Sequence, residues 1–195
     1  MIIALSGDTG AGKSTLSRIL KQKLDARVLT VGYILRAQAK AKNMIFEDYL
    51  REIESLYGKS AHMKVLEKDI KSKLKKHSTV IVEGTYKVED LVALQRLFPK
   101  EVMLNFHVES DRKIRIKRIM KRKSLNRSEA IDWVNMQDKV RAERFNMNDV
   151  AVIAGDKIIN KGLTRKELYE AFEKQYNKKM FVKLIDTLKN RRRRL

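Results

Sequence analysis

The chain of 195 residues contains no cysteine and a single proline, Pro99. Without cysteine, a disulfide scaffold, a thiolate-ligated zinc or iron–sulfur centre and thiol catalysis are all excluded. No apolar run approaches the roughly 20 residues that a membrane-spanning helix requires. The opening stretch Met1–Leu5 meets Gly7 too soon to serve as a signal-peptide core, so a soluble cytoplasmic protein is expected. Acidic residues are scarce beside basic ones: 24 Asp and Glu against 44 Lys and Arg leave a net +20. Such a balance implies polyanionic company, whether phosphorylated small molecules, nucleic acid or an anionic membrane face. What remains, 43% hydrophobic content, is ample for one compact domain with a buried core.

Ile2-Ile3-Ala4-Leu5-Ser6 is a short apolar run ending at glycine, and Leu16, Ile19 and Leu20 then recur at helical spacing. Strand, loop and helix follow in that order. Further strands are expected at 27–31, 79–83, 101–108 and 157–160, which are short, apolar or β-branched. The charged segments between them predict helices at 12–24, 33–42, 46–56, 60–75, 88–97, 111–123, 127–145 and 164–176, with Asp111, Ser128 and Thr164 as N-caps or near-caps. This alternation predicts an α/β fold, a five-stranded parallel sheet covered by helices on both faces. Between the second and third strands the chain is longer than one crossover helix needs, so a substrate-binding helical insertion is expected there. Charge concentrates in two places. Residues 112–123 carry eight bases and no acid, and residues 178–195 carry eight bases against Asp186, ending in Arg191-Arg192-Arg193-Arg194.

Gly7-Asp8-Thr9-Gly10-Ala11-Gly12-Lys13-Ser14-Thr15 fits G-x-x-x-x-G-K-[ST], with a strand before it and a helix after it. Glycines let the backbone turn so that successive N–H groups face a β-phosphate, and the helix start adds its positive end. Lys13 is expected to bridge the β- and γ-phosphates of ATP or GTP, and Ser14 to hold Mg²⁺. Asp8 is the unexpected member, since a carboxylate beside a triphosphate is repulsive unless it faces metal, water or a second substrate; a capping or solvent-facing role is equally open. Thr79–Glu83 ends in a carboxylate at the sheet edge that bears the loop. Glu83 is therefore a candidate to hold a Mg²⁺-bound water or to orient an acceptor hydroxyl.

Five segments taken in order, Gly7–Thr15, residues 31–36, Val82-Glu83-Gly84, residues 118–122 and Ile158-Ile159-Asn160-Lys161-Gly162, resemble the nucleoside monophosphate kinases over about residues 1–175. The likeness is strongest to small archaeal cytidylate-kinase-like proteins and to an archaeal group of nucleotide kinases related to dephospho-CoA kinase; residues 135–162 look most like the second group. The resemblance implies a three-layer α/β/α P-loop NTPase fold with a kinase domain over 1–177. It places a helical acceptor-binding insertion at 33–76, a basic lid at 112–145 and a basic C-terminal helix or tail at 178–195.

It further implies that Arg36 grips the acceptor phosphate, that Arg118 and Arg122 close from the lid over the transferring group, and that Arg141 returns from the lid toward it. Lys161 matches the loop that passes the donor base, and Gly84 belongs to the acceptor side. Two positions depart from the family pattern: Tyr33 stands where many relatives have Asp, and Tyr86 where the archaeal group has Arg. Each tyrosine either stacks on an acceptor base or packs. The function implied is phosphoryl transfer from ATP or GTP to a nucleotide-like acceptor by a monomer or homodimer, with nucleoside monophosphate kinase first and dephospho-CoA kinase as the alternative. From the charge alone, a nucleic-acid-associated ATPase or polynucleotide kinase also stays open, as does nonspecific nucleic-acid contact through the tail. His62, His77 and His107 lack metal spacing, and Glu52, Glu54 and Trp133 read as a wet helix face and a packed ring.

Overall fold

The computed structural model describes residues 1–145, 147–155 and 157–192, with only the backbone path described at Arg144 and over 184–192. Its elements run β1 (Ile2–Gly7), α1 (Lys13–Lys23), β2 (Ala26–Thr30), α2 (Val31–Ala41), α3 (Phe46–Tyr57), a 3-10 turn at Gly58–Ser60, α4 (Ala61–Leu74) and β3 (Thr79–Glu83). There follow α5 (Val88–Leu97), β4 (Met103–Glu109), α6 (Arg112–Lys123), α7 (Arg127–Phe145), α8 (Met147–Ala154), β5 (Lys157–Ile159) and α9 (Arg165–Arg192). The five strands form one parallel sheet in the order β2-β3-β1-β4-β5.

The sheet sorts its side chains by alternation. Ile2 and Ala4 of β1 and Val80 and Val82 of β3 point to one face, where they meet α2, α3, α4 and α5. Ile3, Leu5 and Ile81 point to the other, under α1 and α9, where Phe106 lies 4.9 Å from Phe172. Two buried layers make the α/β/α sandwich expected from the alternation. Because β1 is the central strand and wholly buried, the loop that follows it is anchored on both sides, with Leu5 paired to Glu83 and Gly7 to Val108.

Helices α2–α4 form the insertion between β2 and β3. Helices α6 and α7 pack on each other through a separate cluster of Ile116, Ile119, Ala130 and Val134. Several bounds differ from expectation. Val31 begins α2 instead of ending the second strand, and α9 continues through residue 192 where the helix was expected to stop at 176. Lysine and arginine are good helix formers and no glycine or proline interrupts that stretch. Asn126 caps α7, with Ser128 in the first turn beside it: Asn126 and Glu129 exchange reciprocal side-chain to backbone hydrogen bonds at 3.0 and 2.8 Å. Thr164 makes the same exchange with Glu167. Asp111 occupies the cap position of α6 without a side-chain bond to the helix. Among the described residues, no helix is long and apolar enough to cross a membrane. The side chains of the tetra-arginine end lie outside the described residues.

Candidate phosphate-binding site

The loop Gly7–Thr15 joins the central strand to α1, so its position follows from the best-buried part of the sheet. Gly7 and Gly12 have φ of 134° and 113°, which L side chains rarely adopt. A Cβ at residue 7 would strike the Val108 carbonyl, and one at residue 12 the Asn160 side-chain amide. Lys13 is buried, and its Nζ donates to the carbonyls of Gly7 at 2.6 Å and Asp8 at 2.8 Å. Burial, with the nearby Arg141 cation second, pushes its ammonium down to about 7; Glu83 and Asp8 pull the other way.

Glu83 reaches the loop from the end of β3. One carboxylate oxygen accepts from Ser14 and the other from Ser17 at 2.6 Å. Ser14 and Glu83 thus form a pair of hard oxygen donors of the kind Mg²⁺ takes, at the position where a phosphate would supply the remaining oxygens. The residues present therefore fit that ion.

Basic residues of α6 and α7 take distinct places. Arg118 lies across the back of the loop: Nη1 donates to the Gly10 and Ala11 carbonyls at 3.0 Å each, and Nη2 to Asn160 Oδ1 at 2.9 Å. Arg122 sits over the Trp133 ring, with its guanidinium carbon 5.8 Å from the centroid. Arg141 donates to the Gly7 carbonyl at 3.2 Å, and its guanidinium carbon lies 5.0 Å from the centroid of Tyr86. Tyr86 also meets Phe145 at 5.6 Å and shadows Gly84; burial pushes its phenol up.

On the insertion, Arg36 is exposed and lies over the Phe46 ring at 5.2 Å, while Tyr33 is 72% exposed. Tyr86 therefore packs beneath an arginine, while Tyr33 stays at the surface. Lys161 is exposed, whereas its neighbour Asn160 is buried and donates to the Ala11 carbonyl at 2.8 Å. Thr9 and Ala11 are buried within the loop and Thr15 is partly buried in the first turn of α1.

Sequence reasoning missed three participants. Ser17, one turn beyond Ser14, was legible only as a helix residue. Arg115 was hidden among eight bases, and Asp138 on α7 gave no signal of its own. Arg115 Nη1 stands 3.0 Å from both Asp8 and Asp138, and its Nη2 takes the second Asp138 oxygen. A cavity of about 380 Å³ borders the loop there, walled by Asp8, Asp138, Arg141 and the start of α8. Its wall carries three carboxylates, Asp8, Asp138 and Asp149, against the Arg141 guanidinium, with Arg115 pairing Asp8 and Asp138 from behind.

The histidines fall outside this site. His107 is buried beside Ser6 at 3.0 Å, with burial holding its pKa below the usual value. His77 pairs with Asp25 at 3.3 Å, and His62 is buried 3.4 Å from Asp90. Glu52 and Glu54, expected as a wet face, pair with Lys42 and Lys87.

Comparison with known proteins agrees with this geometry. A family model described as an AAA domain matches residues 6–135. A UPF0200 protein of Pyrococcus abyssi is 26% identical over 166 residues, covering 82% of this chain and 87% of its own length. A cytidylate kinase of Sulfurisphaera tokodaii is 25% identical over 169 residues, covering 82% and 86%. In fold, the chain is similar to a shikimate kinase from Bacteroides thetaiotaomicron with a TM-score of 0.51 and 13% identity, covering 91% of this chain and 97% of that one. A glycine-framed loop with its buried lysine, the 2-3-1-4-5 sheet and a match spanning most of the chain all lead one way: the protein belongs to the AAA domain family, as a P-loop kinase domain.

Proposed function

We propose that the protein transfers the γ-phosphoryl group of ATP or GTP to the phosphate of a nucleoside monophosphate. One observation carries the choice of acceptor. Arg141 stands between the donor loop and the β3–α5 turn, touching the Gly7 carbonyl on one side and the Tyr86 ring on the other. A guanidinium there neutralises an attacking phosphate oxygen, whereas a hydroxyl acceptor needs a base instead. Asp8 and Glu83, the two carboxylates the sequence offers as that base, are both engaged: Asp8 by Arg115, Glu83 by Ser14 and Ser17. The phosphate acceptor is therefore favoured over the hydroxyl of a dephospho-CoA-type substrate.

In this reading the loop amides and Lys13 hold the β- and γ-phosphates. Lys13 exchanges two backbone carbonyls for phosphate oxygens and regains its proton as it does so. Ser14 and Glu83 hold Mg²⁺, which when bound neutralises charge on the phosphates. Arg36 takes the acceptor phosphate from the insertion side, and Tyr33 and Gly84 flank its path. Arg122 approaches from the lid, and Lys161 lies along the donor base with Asn160 and Arg118 beneath it. An acceptor oxygen then bonds to the γ-phosphorus as the bond to the bridging oxygen breaks, leaving a nucleoside diphosphate on each side. The chain supplies position and charge, with no covalent intermediate.

A panel of acceptors with γ-labelled ATP and GTP tests this. Label should enter nucleoside diphosphate from one of CMP, UMP, AMP or GMP. Label in dephospho-CoA or in 5′-hydroxyl RNA, with none in any monophosphate, would contradict it.

A further inference from the structure

The charged groups beside the loop include a pair that phosphate binding does not explain. Asp8 lies in the loop, where a carboxylate opposes a triphosphate, yet it is held by Arg115, whose side chain is only 4% exposed. The same guanidinium takes both oxygens of Asp138 on α7. We propose that Arg115 is the positioning residue of the phosphate loop, fixing the loop through Asp8 and Arg141 through Asp138.

Three contacts support this division of labour. First, the loop rests directly on Arg115: a Cβ on Gly10 would lie 3.2 Å from the Arg115 carbonyl oxygen and 3.3 Å from its Cα. Second, the Asp8 backbone carbonyl receives Lys13 Nζ at 2.8 Å, so the residue whose side chain Arg115 holds is also the one that docks the lysine. Third, Asp138 and Arg141 are three apart on α7 and so share a face of the helix. Arg141 returns from that face to the Gly7 carbonyl. One buried planar fork therefore ties α6, α7 and the loop into a single unit, a geometry that lysine, a point charge, does not reproduce. The fork also offsets two carboxylates that would otherwise repel each other and the incoming phosphates. Burial already pushes the Asp138 carboxyl up, Arg115 draws it down, and Asp8 raises it again.

The kinetic consequence of this proposal rests on the kinase reading; the structural consequence does not. Arg115→Lys, Asp8→Asn and their double variant are compared with wild type by amide hydrogen exchange in the nucleotide-free protein and by donor KM and kcat. Each single variant should speed exchange over residues 8–12 about tenfold and raise the donor KM by a similar factor, with exchange in β1 and β3 unchanged. The double variant should be no worse than the worse single, because both singles already break the same Asp8–Arg115 pair. Asp8→Asn preserves shape at a partly exposed position, so it keeps the test open should Arg115→Lys fold poorly. Wild-type exchange over 8–12 in both singles, or losses that add in the double, would overturn the proposal. If wild type phosphorylates no acceptor, the kinase reading fails while the exchange result still decides the clasp. If wild type turns over and Asp8→Asn leaves exchange and donor KM untouched, the clasp fails and the kinase reading stands.

Discussion

The side-chain amide of Asn160 donates to the Ala11 carbonyl at 2.8 Å and fills the space that a Cβ on residue 12 would need. The β5–α9 turn is thus built into the back of the phosphate loop, and Arg118 closes the same junction from α6. Gly12→Ala would force both a left-handed alanine and a collision with Asn160. A stability loss of about 1–3 kcal/mol in denaturant unfolding is expected, together with loss of nucleotide binding. Asn160→Ala would remove one of the two donors to the Ala11 carbonyl and the acceptor of Arg118 Nη2, and should cost about 1–3 kcal/mol.

Glu83 joins the sheet edge to the first turn of α1 through two serine hydroxyls. Glu83→Gln keeps the shape and removes the charge. The fold should survive, kcat should fall about 100-fold, and the Mg²⁺ concentration for half-maximal rate should rise. A magnesium titration at fixed ATP measures both; an unchanged titration would remove Glu83 from the site.

Lys13 carries a pH signature. Its pKa is held down to about 7 in the nucleotide-free fold, against an ordinary lysine value of 10.5 when unfolded. Between those values the unfolded chain binds a proton that the folded chain does not, so this group makes stability rise with pH from about 7 to 10.5. Below pH 7 the lysine is charged in both states, and its burial penalty is fully present with no further slope. Triphosphate binding restores the charge, so binding at pH 8.5 should take up a proton. Calorimetry in two buffers of different ionisation enthalpy reads that uptake, and it should vanish in Lys13→Met.

The two layers of the sandwich differ in what they tolerate. Phe172 is 1% exposed and contacts Phe106 and Tyr176, whereas Phe181, on the same helix, is 64% exposed. Phe172→Ala should cost about 3–5 kcal/mol. Phe181→Ala should stay within about 0.5 kcal/mol. Urea midpoints of the two variants test whether α9 belongs to the core through its first half.

The strands and the loop were legible because their signals are local: short apolar or β-branched runs, and glycines at fixed offsets from a lysine. Helix α8 was not. Met147, Val150, Ala151 and Ala154 make a buried stripe, but Val152 and Ile153 are apolar and exposed beside it, so over eight residues the pattern does not stand out as periodic. The start of α2 was missed for a related reason, since Val31 carries a strand-like side chain into a helix. The Asp8–Arg115–Asp138 unit was invisible because its members lie far apart in sequence, and one of them stands in a run of eight bases where only burial singles it out. Pairing of that kind is a property of the fold.

The most direct measurement is equilibrium binding of Mg²⁺ and a non-hydrolysable ATP analogue to wild type and to Lys13→Ala, with folding of both verified by circular dichroism. Wild type should bind in the micromolar range, and the variant at least about 100-fold more weakly, a difference of roughly 2.7 kcal/mol. No heat with ATP or GTP analogues in folded wild type, or equal affinity in the two proteins, would contradict a phosphate-binding loop centred on Lys13.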